Sequence, residues 1–134
     1  MPYICPHLRL LEEQAVAGDG GCVALIRSVV PGLRAPGAAG WRQGAPVIGD
    51  QRIARGTAIA TFEDGRFAAR KGFDHAAIFL DYAATGIWVL EQRDGDDSGM
   101  VQKRFIATGQ AGSSGEFADP GKAAAAFSVI ELQG

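Results

Sequence analysis

Cysteine and histidine are scarce in this chain, with two of each in 134 residues: Cys5 and Cys22, His7 and His75. One pair of thiols makes no disulfide framework. Neither the Cys–Cys nor the His–His spacing matches a zinc pattern, so no metal or organic cofactor is expected. Basic runs are missing as well. The net charge is −2, from 13 basic and 15 acidic residues, which leaves nucleic-acid binding without electrostatic support. No apolar stretch approaches the roughly 20 residues that span a bilayer, so membrane insertion is not expected. The start, Met1-Pro2-Tyr3-Ile4-Cys5-Pro6-His7, lacks the charged beginning and apolar middle of a signal peptide. The chain is therefore expected to be made in the cytoplasm, and to leave it, if it does, by another route than the Sec pathway.

What is present suits a folded domain. Apolar residues make up 47% and charged residues 21% of the sequence, values that argue against disorder. The length is that of one domain over residues 1–134. Nineteen glycines announce many turns.

The pattern changes along the chain. Residues 7–17 read as a short helix, with Leu8, Leu11 and Ala15 on one face. After Gly18-Asp19-Gly20-Gly21, the positions Cys22, Ile26 and Val29 repeat at helical spacing, and Pro31-Gly32 stops that helix. Residues 32–56, rich in glycine and proline, read as loop, with Trp41 as an anchor on the core. Strands are expected at 57–62, 75–81, 86–92, 100–106 and 126–132. Helices followed by an antiparallel meander indicate an α+β fold, with N-terminal helices packed on an antiparallel β-sheet.

Three residues stand out for chemistry. Cys22 opens its expected helix directly after two glycines. Unpaired N–H groups and the helix dipole favour a thiolate there and can hold an oxyanion. Its bland alternative is a small buried hydrophobe. Cys5, between Ile4 and Pro6, has no such helix start and reads as structural. His75 opens a long strand, and an imidazole there can reach a helix terminus and act as base to a thiol; alone, it would be a solvated turn histidine. Glu91 follows by register. A short turn near Ala83–Ala84 brings the end of strand 86–92 beside the start of strand 75–81, so Glu91 can orient the His75 ring. A slip of one residue would offer Gln92 instead.

Taken together, Gly20-Gly21-Cys22-Val23-Ala24-Leu25, Gly56-Thr57-Ala58-Ile59-Ala60-Thr61-Phe62, His75-Ala76-Ala77-Ile78-Phe79 and Gly86-Ile87-Trp88-Val89-Leu90-Glu91-Gln92 resemble the small amidase effectors of the type VI secretion system, relatives of the NlpC and CHAP peptidases. The resemblance runs roughly from Gly20 to Gln92, with a looser match at Ala126 to Glu131. It implies a papain-like, NlpC-type domain. It also implies an antibacterial cysteine peptidase that hydrolyses peptidoglycan, at stem-peptide bonds or at crosslinks. The family's cysteine and histidine map onto Cys22 and His75, and its acidic third position onto Glu91, where related sequences often carry aspartate. Such effectors are injected into the periplasm of a target cell, and a cognate immunity protein guards the producer. The chain is expected to act as a monomer. Two alternatives stay open: a Cys–His deamidase or acyltransferase, and a non-catalytic module that binds cell wall or a partner.

Overall fold

The structure, a computed structural model, describes residues 3–4, 26–27, 30–33, 40–49, 52–63, 65–67, 75–91, 102–108 and 124–132. Seven strands carry most of them: β1 (Trp41–Pro46), β2 (Ala58–Glu63), β3 (Arg66–Phe67), β4 (Ala76–Ala83), β5 (Gly86–Glu91), β6 (Gln102–Ala107) and β7 (Phe127–Leu132). They form one sheet in the order β3-β1-β7-β2-β4-β5-β6. Because β3 also pairs with β2, strands β1, β7, β2 and β3 close into a small ring. From β2 the sheet runs on, open, through β4, β5 and β6.

This architecture corrects the expected α+β layering of N-terminal helices on a sheet. The described residues are mostly strand. Their helical part is confined to Ile26–Arg27, the 3₁₀ turns Pro31–Leu33 and Ala124–Ala126, and Gly40. The helix expected over 7–17, and all but Ile26, Arg27 and Val30 of the one expected over 22–30, lie outside the described residues. A single turn is visible, with Val30 N–H donating to the Ile26 carbonyl at 3.0 Å.

Residues 32–56 supply the second part of the correction. Their glycines and prolines suggest loop, yet they contain β1. Pro46 ends that strand beyond a register shift against β7, where a missing N–H is tolerated. At Gly44 a Cβ would stand 2.7 Å from Glu131 Cγ and 2.8 Å from the Val129 carbonyl oxygen, so only glycine lets β1 lie this close to β7. With β1 in place the sheet closes through β3 and hides an edge. Trp41 is fully buried, as an anchor should be.

Both faces of the sheet are packed. On one, Ala58, Ala60, Ala76, Ile78, Leu80 and Leu90 meet Ile26, Val30, Leu33 and Trp41. The small alanines of β2 and β4 leave room for those larger side chains. On the other face, Ile59, Ala77, Phe79, Ile87, Val89, Ile106 and Phe127 form a second core. Double burial explains why 58–60 and 76–80 are continuous apolar runs without alternation. Among the described residues no helix is long and apolar enough to cross a membrane.

Candidate active site

His75 owes its position to a split in the ladder of β2. Ala58, Ile59 and Ala60 of that strand pair with β4, whereas Phe62 and Glu63 pair with β3. Thr61 stands at the change-over and clamps the backbone of His75. Its N–H donates to the His75 carbonyl at 2.9 Å. Its hydroxyl accepts from the His75 N–H at 3.0 Å and donates to the same carbonyl at 3.3 Å. From the other neighbour of β2, Phe127 on β7 meets the imidazole edge-on, with ring centroids 5.8 Å apart.

Glu91 reaches the same place through an irregularity. Near the hairpin turn the pairs are Ala83↔Gly86, Tyr82↔Ile87 and Asp81↔Trp88. Farther along they become Phe79↔Val89 and Ile78↔Leu90. Continued in the first register, the ladder would set Ile78 opposite Glu91 and turn the carboxylate toward the Ile78 face. The extra residue of β4 between Phe79 and Asp81 moves every later pair by one. Glu91 thereby emerges on the face of Ala77, beside His75, as the expected register required.

The two side chains meet. His75 Nε2 lies 2.9 Å from Glu91 Oε1, and the side chains are only 8% and 4% exposed. In a neutral ring this contact places the proton on Nε2, as donor to the carboxylate, and leaves the lone pair on Nδ1. On β6, opposite Val89, Arg104 brings its Nε within 3.2 Å of the same Oε1. The contact is an ion pair: the buried Nε–H is not aligned as a hydrogen bond. Strands β7, β2, β5 and β6 thus contribute Phe127, Thr61, Glu91 and Arg104 to the site, and His75 stands directly before β4.

Such a constellation can take a proton at Nδ1 and stabilise the cation that results. Cys22, the expected nucleophile, lies outside the described residues, as do Cys5, His7 and Gln92. Sequence reasoning missed Thr61 and Arg104. A lone polar residue inside the apolar run 58–62 was the signal for the first. Extending the register from β5 to β6 would have found the second. Trp88 and Phe105, exposed and stacked edge-on at 5.4 Å between centroids, occupy the opposite face of β5 and β6, away from this cluster.

Comparison with known proteins agrees with these features. Residues 2–120 match the family model of domesticated amidase effector 2. A type VI secretion amidase effector 2 protein of Salmonella typhi is 35% identical over 136 aligned residues, covering 98% of this chain and 100% of that protein. A solved structure of type 6 secretion amidase effector 2 (Tae2) superposes with a TM-score of 0.87 at 34% identity, covering 100% of this chain and 97% of that one. By sequence, by structure and over nearly its whole length, the chain belongs to the amidase effector 2 family.

Proposed function

We propose that this chain is a cysteine amidase that hydrolyses amide bonds in the stem peptides or crosslinks of peptidoglycan. The observation that carries the proposal is the buried contact of 2.9 Å between His75 and Glu91, found in a chain of an amidase effector family. Neutral His75 takes the thiol proton of Cys22 on Nδ1. The thiolate adds to the carbonyl carbon, and the imidazolium returns the proton to the departing amine. Water, deprotonated by the same ring, then cleaves the thioester and restores Cys22. Glu91 keeps the ring in its tautomer and balances the positive charge while it exists.

Cys22 is taken as the nucleophile from the sequence: it directly follows Gly20-Gly21 and opens a run at helical spacing, where unpaired N–H groups favour a thiolate. The relatives bear the name of type VI secretion effectors. Delivery by that route into the periplasm of a rival is proposed for this chain too, together with a cognate immunity protein that protects the producer.

The test is digestion of purified sacculi. Wild-type protein is expected to release new stem-peptide termini, and Cys22→Ala to release none while keeping its circular dichroism. Full activity in Cys22→Ala would overturn the mechanism. Binding of sacculi by wild-type protein without any product would leave a wall-binding module in its place.

A further inference from the structure

We infer that Arg104 is a positioning residue for the proposed hydrolysis, acting on His75 through Glu91; the inference rests on the Cys22–His75 chemistry above. A base must be neutral before it accepts a proton, and a neutral imidazole gives a carboxylate no counter-charge. Glu91 is nonetheless almost wholly buried, its side chain 4% exposed. A carboxylate so enclosed needs a cation close by. Arg104 supplies one on the oxygen that His75 uses, at 3.2 Å against 2.9 Å for the imidazole nitrogen. Its guanidinium keeps its proton at every working pH.

The two contacts divide the work. The Arg104 Nε–H is not aligned on Oε1 as a hydrogen bond, so through this nitrogen Arg104 acts on Oε1 by charge. The directed lone pair of Oε1 is left to the Nε2–H of His75. Charge from Arg104 on β6 and direction from His75, just ahead of β4, together hold an ionised acceptor in line with the ring before the thiol is touched. The placement is built into the ladder, since Val89↔Arg104 on β5 and β6 brings the guanidinium to the Glu91 face.

A double-mutant cycle tests this, with kcat and KM measured on a soluble crosslinked muropeptide for wild type, R104Q, E91Q and the double variant. R104Q relieves the repulsion of Arg104 on the imidazolium but frees Glu91 from its fixed place; the lost positioning outweighs the relief, and kcat is expected to fall roughly three- to thirtyfold, with KM within about twofold of wild type. In the E91Q background R104Q is expected to change kcat by less than about twofold, because the carboxylate it acts through is gone. R104K, which keeps the charge, is expected within about threefold of wild type. Wild-type kcat in R104Q, equal losses in both backgrounds, or R104K as slow as R104Q would each overturn the inference. If R104Q does not fold, R104M, which keeps the packing, takes its place in the cycle. C22A separates this inference from the one beneath it. An active C22A removes the hydrolysis itself, whereas an inactive C22A with an additive cycle removes only the role of Arg104.

Discussion

Replacing Glu91 by glutamine changes almost nothing in shape and removes one charge. The amide oxygen can still accept from His75 Nε2–H at the 2.9 Å seen for the carboxylate, so the resting neutral ring loses little. In the proposed mechanism the loss falls on the imidazolium that forms when Cys22 gives up its proton. A hydrogen bond to a charged group contributes about 1.5–3 kcal/mol, against about 0.5–1.5 kcal/mol between neutral partners. A bare Coulomb figure for two charges about 4 Å apart is higher, near 4 kcal/mol at an effective dielectric constant of about 20, but part of it is offset by Arg104, whose positive charge lies on the same oxygen. Glu91→Gln should therefore cost the difference, about 1–1.5 kcal/mol of transition-state stabilisation, a fall in kcat of roughly five- to twelvefold. KM should stay within about twofold, because the side chain is nearly inaccessible and does not hold substrate. The assay is initial-rate release of free amino groups from a soluble crosslinked muropeptide, with melting curves to show that each variant is folded. Wild-type kcat in Glu91→Gln, or a loss confined to KM, would refute the reasoning.

Other outcomes follow from the same contacts. Thr61→Val removes the hydroxyl that clamps both backbone groups of His75. It should cost about 1–3 kcal/mol of stability and lower kcat, while Thr61→Ser stays near wild type in both melting temperature and rate. Gly44→Ala would force a Cβ to 2.7 Å from Glu131 Cγ. Urea melts should show a loss of about 1–3 kcal/mol, with activity retained at 25 °C. Phe127→Ala removes a fully buried ring that packs against His75, for an expected loss of about 3–5 kcal/mol; Phe127→Leu, closer in volume, should lose markedly less in the same melts.

Much of the sheet was legible because buried strands leave plain marks. Most of the runs at 57–62, 75–81, 86–92 and 126–132 falls on observed strands. The approach of Glu91 to His75 was expected from a turn near Ala83–Ala84; the turn lies one residue later, at Ala84–Thr85, and the extra residue of β4 brings Glu91 back to the His75 face. The irregularity that makes this approach possible was not legible. Two residues of β4 stand against a single step of β5 between Phe79 and Asp81, and nothing in Phe79-Leu80-Asp81 marks where the extra residue falls. The layering was misjudged for a different reason. Gly44 and Pro46 belong to a strand because β7 crosses close by, and a long-range contact of that kind is invisible to local propensity. Without β1 the ring closed by β3 could not be foreseen, and the sheet's second partner was sought among helices. Arg104 escaped notice because it lies on a strand remote in sequence from His75 and Glu91, and only the β5–β6 ladder joins them.

The central claim is that an imidazole oriented by Glu91 makes the Cys22 sulfur nucleophilic. It is tested most directly by the rate at which iodoacetamide alkylates Cys22 at pH 7, in protein carrying Cys5→Ser so that one thiol remains. The thiol should react at least about tenfold faster than free cysteine, because thiolate is the reactive form, and His75→Ala should bring it down to the free-cysteine rate. Equal rates for free cysteine, the Cys5→Ser protein and its His75→Ala variant would contradict the account.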